Sequence, residues 1–223
     1  MFQRALTNRI SRSFFLFGAR GTGKTTWIRE HFLSDRTLFI NLLRPEEEQL
    51  YAKTPGLLES EIAARIERGA SPDWVIIDEV QKLPKLLDTV HHLIESKGTR
   101  FILTGSSARK LKRGGANLLA GRAFLYRLYP LTHAELGDSF NLDFTLNWGA
   151  MPQTVSMETD AERLKYLAAY TLVYLKEEIH LESHHGGEID LILTRGKKSI
   201  AIEIKSNPGP AHLQGGLHAL DRA

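Results

Sequence analysis

The segment Gly18-Ala19-Arg20-Gly21-Thr22-Gly23-Lys24-Thr25 decides the fold of this 223-residue chain. It follows the pattern G-x4-G-K-[ST], which ordinary residue frequencies would produce in such a chain only about once in a hundred cases. Glycines at this spacing let backbone N–H groups surround a phosphate, and a helix that begins at Thr25 adds partial positive charge. The segment therefore predicts a phosphate-binding loop (P-loop). The alternative is a glycine-rich turn with an incidental lysine.

The residue types in this loop predict how it binds Mg·ATP. The Lys24 ammonium should reach the β- and γ-phosphates, and the Thr25 hydroxyl should ligate Mg²⁺. These residues do not distinguish ATP from GTP. The predicted nucleotide-binding residues are Gly18, Ala19, Arg20, Gly21, Thr22, Gly23, Lys24, Thr25 and Thr26.

Short apolar runs alternate with helical patterns on both sides of the loop. The predicted strands span 13–17, 37–42, 74–77, 101–104 and 123–128, and the predicted helices begin at 25, span 57–67 and lie between 84 and 98. Near-continuous apolar strands between helices are typical of an α/β fold, in which helices cover both faces of a parallel sheet. In the helix over 57–67, Leu58, Ile62 and Ile66 form one apolar stripe.

The run Trp74-Val75-Ile76-Ile77-Asp78-Glu79 predicts a buried strand that ends in two carboxylates. In a doubly wound sheet such a strand end lies beside the P-loop. We expect Asp78 to hold Mg²⁺ and Glu79 to act as general base toward the attacking water. Acidic residues are common at strand ends, so this interpretation depends on the P-loop.

Two further residues are candidates for catalysis. Thr104 ends the strand over 101–104, where its hydroxyl could bond the γ-phosphate or the attacking water. Arg122 precedes the fifth strand, from which it could act as an arginine finger on a neighbouring subunit of a homo-oligomer. The alternatives are a plain strand-ending threonine and a structural or surface cation.

Composition excludes several classes of protein. With 42% hydrophobic and 25% charged residues and a net charge of +3, the chain is neither disordered nor strongly basic. No apolar run approaches the roughly 20 residues that span a bilayer, and the N-terminus has no signal-peptide pattern, so we expect a cytoplasmic protein without membrane contact. The absence of cysteine excludes disulfides and cysteine nucleophiles. A basic cluster is either a solvated face or a contact for DNA phosphates: Arg109, Lys110, Lys112 and Arg113.

The last third of the chain predicts a long helix and a hairpin. Thr159 and Glu162 form a capping-box pattern before an amphipathic helix over 160–181. If a turn lies at 195–198, residues whose numbers sum to 393 face each other, which pairs Asp190 with Glu203. These two carboxylates, with Lys205 nearby, have the spacing of a nuclease metal site; a structural hairpin is the alternative.

The ordered motifs resemble one family. They are Gly18 to Thr26, Ile76-Ile77-Asp78-Glu79-Val80-Gln81-Lys82, Leu103-Thr104-Gly105-Ser106-Ser107, Leu119-Ala120-Gly121-Arg122 and Tyr129-Pro130-Leu131-Thr132. Over residues 10 to 137 the chain resembles prokaryotic AAA+-like ATPases that join a P-loop domain to a C-terminal restriction-endonuclease-like domain of unknown function. The resemblance implies ATP binding and hydrolysis with Lys24, Thr25, Asp78 and Glu79 in the usual roles.

The chain departs from this family in its C-terminal part. Only residues 182–185 separate the long helix from the nuclease-like segment, where family members carry a longer, winged-helix-like stretch, so the chain looks internally shortened. We therefore expect a P-loop ATPase domain over 1–130, a helical lid-like segment over 131–183 and a remnant nuclease-like hairpin over 184–223. Nuclease activity is not expected, because so few residues cannot supply a nuclease core.

The predicted function is hydrolysis of Mg·ATP to drive a conformational change that acts on DNA or on a protein partner. A nucleotide-dependent binding switch with little turnover and a small-molecule kinase are the alternatives. The pair Asp78 and Glu79 and the strand end at Thr104 favour water as the acceptor.

Overall fold

The computed structural model describes residues 2–7, 9–106, 111, 119–172, 191–195 and 198–202, and for the last two ranges only the backbone. The chain divides into two compact units, Met1–Leu164 and Lys165–Ala223. The three-part division predicted from the sequence stays a prediction.

Five parallel strands form the central sheet of the first unit. They lie in the order β2-β3-β4-β1-β5, and each neighbouring pair is parallel. The predicted α/β fold with a parallel sheet is confirmed, and each strand differs from its predicted bounds by at most one residue at either end. The strands are β1 (Phe14–Phe17), β2 (Thr37–Asn41), β3 (Trp74–Asp78), β4 (Phe101–Gly105) and β5 (Phe124–Arg127).

Helices connect and cover these strands. The predicted helix over 57–67 is present with these bounds, and the helix predicted between 84 and 98 begins at Leu86 and ends before Gly98, whose φ of 63° closes it. The helices are α1 (Lys24–Phe32), α2 (Pro45–Lys53), α3 (Leu57–Glu67), α4 (Leu86–Lys97), α5 (His133–Leu136), α6 (Leu142–Trp148), α7 (Pro152–Ser156) and α8 (Asp160–Tyr170).

Helix α2 was not predicted from the sequence, and α5, α6 and α7 lie in the segment over 131–183, which was predicted to be helical without bounds for these three helices. Helix α2 begins with Pro45 at its first turn, followed by Glu46, Glu47 and Glu48. Proline and acidic residues are favoured at this end of a helix, so the signal was present in the sequence.

Apolar side chains pack on both faces of the sheet. Phe15 and Phe17 belong to one buried cluster, and Phe14 and Leu16 belong to the other. This alternation confirms that β1 is buried on both sides. The edge strand β5 differs, since Phe124 and Leu125 are about half exposed.

Two predicted apolar stripes are only partly buried. In α3, Leu58 and Ile62 are fully buried but Ile66 is 40% exposed, because it lies in the last turn beyond the edge of the core. Helix α8 has its predicted capping box, in which the Glu162 N–H donates a 3.3 Å bond to Thr159 Oγ1. Yet no residue of α8 is buried, and Leu164 on its apolar side is 62% exposed, so the predicted amphipathic pattern does not become a buried face in this helix.

The second unit contains an antiparallel hairpin of β6 (Leu191–Arg195) and β7 (Lys198–Ile202). Leu191 pairs with Ile202 and Leu193 with Ile200, so the predicted register is confirmed over these strands. Asp190, Glu203 and Lys205 lie outside the described residues, and their metal site stays a prediction. Within the described ranges, no helix has the length and apolar character to cross a membrane.

We predict that Gly18→Ala destabilises the protein by about 1–3 kcal/mol. A Cβ at position 18 would lie only 2.2 Å from the Leu128 carbonyl oxygen, a backbone atom of a residue whose N–H donates a 2.7 Å bond to the Phe17 carbonyl. Chemical denaturation would measure the free energy of unfolding. Gly56→Ala is the matched control, because a Cβ there meets nothing within 4 Å; equal losses in the two variants would contradict the packing argument.

Candidate nucleotide site at the carboxyl edge of the sheet

The P-loop connects β1 to α1, as the sequence predicts. Gly21 and Gly23 adopt φ values of 81° and 88°, a left-handed conformation that glycine tolerates best. Thr22 between them is fully buried, and its hydroxyl donates a 2.9 Å bond to the Ala19 carbonyl. Helix α1 then begins at Lys24. The loop is therefore held in a tight curve at the N-terminus of a helix.

Lys24 folds back over the P-loop. Its ammonium donates bonds of 2.7 Å to the Gly18 carbonyl and 3.1 Å to the Ala19 carbonyl, and the residue is only 5% exposed. A buried charge is stable only with such partners. These contacts place the cation against the start of the loop.

The Asp78 carboxylate joins the P-loop to the ends of two strands. Thr25 donates a 2.9 Å bond to Asp78 Oδ2, and Thr104 donates a bond to Asp78 Oδ1. Asp78 is 3% exposed and Thr104 is fully buried. The parallel strands β3, β4 and β1 are neighbours, so their carboxyl ends meet at the same edge of the sheet. The structure therefore brings the side chains of Thr25, Asp78 and Thr104 together, and their roles toward a nucleotide stay a prediction.

Glu79 follows directly in an unusual backbone conformation. Its φ of 60° is left-handed, which costs a non-glycine residue about 1–3 kcal/mol, and such residues cluster at functional sites. Two contacts hold it: its N–H donates a 2.9 Å bond to Thr104 Oγ1, and the Gln81 amide donates a bond to its Oε2. The carboxylate that is the candidate general base is thus fixed at both its backbone and its side chain.

Gln81 contacts the Glu79 carboxylate but was not among the site residues predicted from the sequence. Among the residues that the structure describes, its buried Oε1 has no hydrogen-bond partner, and a Cβ at Gly105 would lie 2.6 Å from that atom. Gly105 therefore leaves the room that Gln81 needs to reach Glu79. Position alone could have suggested Gln81, since it follows Glu79 by two residues.

Arg122 makes its contacts away from the P-loop residues. It donates 2.6 Å and 3.0 Å bonds to Glu95 Oε1 and the Ala120 carbonyl, and it lowers the pKa of Glu95 through this hydrogen bond and its charge. The side chain remains 38% exposed. The structure therefore presents Arg122 at the surface beside α4, and its role on a neighbouring subunit stays a prediction. The basic cluster from Arg109 to Arg113 lies outside the described residues.

A cavity of about 550 Å³ opens beside the P-loop. Its lining includes Gly21 and Gly23 of the loop, Trp27 of α1, Phe2 of the N-terminal segment and Pro152 of α7. This cavity could not be predicted from the sequence, because its walls come from segments that are far apart along the chain.

Residues 11–137 match a family described as an AAA domain. The chain belongs to this family. The match covers more than half of the chain and includes the P-loop, Asp78, Glu79, Thr104 and Arg122. This AAA domain is accordingly of the nucleotide-binding ATPase class, whereas a nuclease-like part is not included in the match.

Two solved structures are similar over most of the chain. One is the Aeropyrum pernix ORC1 protein in complex with DNA, with 14% identity and a TM-score of 0.37 over 76% of this chain and 56% of that one. The other is domain III of the Thermotoga maritima replication initiation protein DnaA, with 15% identity and a TM-score of 0.35 over 77% of this chain and 79% of that one. The AAA domain protein thus spans little more than half of the length of the ORC1 chain. No curated protein matches it at a significant level.

We predict that Thr104→Val lowers the free energy of unfolding by about 1–3 kcal/mol, because it leaves the Glu79 N–H and one Asp78 oxygen without their partner. Thr104→Ser keeps the hydroxyl and should retain most of the stability. Urea denaturation of both variants would measure the difference. Equal stability of the valine variant and the wild type would show that these bonds contribute little.

Proposed function

We propose that this AAA domain protein binds Mg·ATP at the P-loop and hydrolyses it to drive a conformational change. The hydrogen-bonded set Thr25, Asp78, Thr104 and Glu79 carries the proposal. It places a P-loop hydroxyl, a buried carboxylate and a second carboxylate at one edge of the sheet, where phosphoryl transfer to water needs them.

The residues present suit Mg²⁺. The Thr25 hydroxyl and the Asp78 carboxylate are oxygen donors that lie within 2.9 Å of each other, and Mg²⁺ in nucleotide sites is held by few protein oxygens together with phosphate and water. When bound, the ion neutralises negative charge on the phosphate oxygens. Lys24, whose ammonium lies against the Gly18 and Ala19 carbonyls, would supply a further positive charge.

The positions of Glu79 and Thr104 support reaction with water. Glu79 lies at the carboxyl end of β3 with its carboxylate oriented by Gln81, and it would accept the proton of the attacking water. Thr104 holds the backbone of Glu79 at 2.9 Å and thereby fixes that carboxylate relative to Asp78. Preorganised groups of this kind lower the barrier because they need no rearrangement during the reaction.

The cavity beside the P-loop would receive the nucleoside. Its volume of about 550 Å³ lies within the usual range of ligand pockets, about 300–1,000 Å³. The apolar surfaces of Phe2, Trp27 and Pro152 suit the flat base of a nucleotide. None of these residues alone selects the base. The choice of ATP over GTP is therefore part of the proposal.

The task that hydrolysis serves is proposed to be a change in the contact with a partner, either DNA or a protein. A kinase and a nucleotide-dependent switch are the two competing functions. Phosphate release that needs no added acceptor would exclude the kinase, and turnover at a steady rate would exclude the switch.

We predict that Glu79→Gln retains affinity for Mg·ATP but hydrolyses it about 10²–10⁴-fold more slowly, because the amide keeps the size of the side chain but cannot accept the proton. Equilibrium binding and phosphate release would be measured on the same protein. Lys24→Ala is the control that should lose binding itself. Hydrolysis by Glu79→Gln at the wild-type rate would assign the base to another residue.

A second prediction concerns Arg122 and an assembled homo-oligomer. If Arg122 acts on a neighbouring subunit, turnover per subunit should rise with protein concentration, and Arg122→Ala should reduce it by about 10³-fold without loss of ATP binding. Glu95→Gln is the matched control, because it removes the charged partner of Arg122 and keeps the guanidinium. A rate that is independent of concentration and equal in the two variants would contradict the arginine-finger role.

A further inference from the structure

Arg4, in the N-terminal segment before β1, contacts three separate parts of the protein. Its Nη1 donates a 2.7 Å bond to the Thr22 carbonyl of the P-loop, and its Nη2 donates a 2.5 Å bond to the Tyr129 carbonyl after β5. Its Nε donates a 3.0 Å bond to Glu135 of α5. The Arg4 side chain is only 6% exposed. A guanidinium buried with three different acceptors is fixed in position, unlike a flexible surface cation.

Glu135 is equally constrained. Its Oε1 accepts a 2.8 Å bond from the Ala5 N–H in addition to the bond from Arg4, and its Oε2 accepts a 2.9 Å bond from the Thr132 N–H as part of the capping box of α5. Burial raises the pKa of this carboxyl group, but the bonds from Ala5, Thr132 and Arg4 outweigh it and hold the pKa below its ordinary value. Glu135 is therefore charged at neutral pH and joins α5 to the N-terminal segment.

The bond from Arg4 to the Thr22 carbonyl restrains the peptide between Thr22 and Gly23, whose N–H belongs to the P-loop. In a trans peptide the carbonyl and the following N–H point in opposite directions. Anchoring the Thr22 carbonyl on Arg4 therefore turns the Gly23 N–H away from Arg4. Gly21 and Gly23 on either side have φ values of 81° and 88°, where glycine has little steric restriction, so the bond from Arg4 adds a restraint on the peptide between Thr22 and Gly23.

We infer that Arg4 and Glu135 form a positioning pair. Arg4 holds the peptide between Thr22 and Gly23 in the orientation that binds a phosphate, and Glu135 connects that orientation to α5. The inference rests on the proposed nucleotide binding and adds a form of regulation. A change at α5 alters the phosphate affinity of the P-loop, and a bound phosphate stabilises α5. By thermodynamic linkage the two effects are equal in size.

The test compares Arg4→Gln and Arg9→Gln in the full chain. Arg9 is an exposed arginine of the same N-terminal segment and is the matched control. The probes are Mg·ATP and inorganic tripolyphosphate with Mg²⁺, which has no base or ribose and reports on the P-loop alone. Arg4→Gln should weaken both probes by about tenfold or more, within the usual range of coupling between sites, while Arg9→Gln leaves both unchanged.

Glu135→Gln separates the two members of the pair. Arg4 keeps its bonds to Thr22 and Tyr129 in this variant, so tripolyphosphate affinity should fall less than in Arg4→Gln. Hydrogen exchange at residues 133–136 should slow when tripolyphosphate binds to the wild type, and this slowing should be lost in both variants. The double variant should be little weaker than Arg4→Gln, because the pair acts as one unit.

A purely structural role of Arg4 predicts a different result. Arg4→Gln would then melt at a lower temperature but bind tripolyphosphate with wild-type affinity, and that result would overturn the inference.

Arg4→Lys keeps the charge with fewer donors and replaces the glutamine variant if that variant does not fold. Wild-type affinity for tripolyphosphate in Arg4→Lys, with normal hydrogen exchange at α5, would also overturn the inference. Failure of the proposed function is distinct, since the wild type itself would then bind neither probe.

Discussion

The burial of the Asp78 carboxylate is the constraint on which the site depends. A carboxylate at 3% exposure needs hydrogen-bond donors, and both Thr25 and Thr104 donate to it. These donors belong to the start of α1 and the end of β4. The Asp78 charge therefore has hydrogen-bond partners only if the P-loop and the carboxyl ends of β3 and β4 lie next to each other. The parallel order of the sheet makes this possible.

The same strand ends also fix Glu79. Thr104 donates to Asp78 and accepts from the Glu79 N–H, so one hydroxyl links the two carboxylate residues. The left-handed backbone of Glu79 has a conformational cost, and the bonds from Thr104 and Gln81 hold it in place. Gly105 contributes by lacking a side chain, since any Cβ there would displace Gln81. These contacts hold Glu79 in one orientation, which suits a group that must meet a water molecule in a defined direction.

The N-terminal segment and α5 extend this network beyond the sheet. Arg4 and Glu135 are buried ionic partners on segments that flank the P-loop, and each also bonds backbone groups. A buried ion pair adds little net stability over apolar packing but specifies one arrangement in place of others. In this AAA domain protein the arrangement that it specifies includes the Thr22 carbonyl. The conformation of the P-loop is consequently tied to the helices that follow β5.

The sequence by itself determined the P-loop, the strands, the ends of α3, the pair Asp78 and Glu79, and the hairpin register. Each of these follows from residues that are close along the chain or from a strict alternation of apolar side chains. Only the tertiary structure decided the strand order, the Arg4 and Glu135 pair, the hold of Gln81 on Glu79, the contact of Arg122 with Glu95, and the exposure of Ile66 and Leu164. The physical reason is that apolar periodicity specifies which face of an element can be buried, but not which element covers it. Arg4 and Glu135 are 131 residues apart, and a polar partner at that distance exists only once the sheet and its helices have packed.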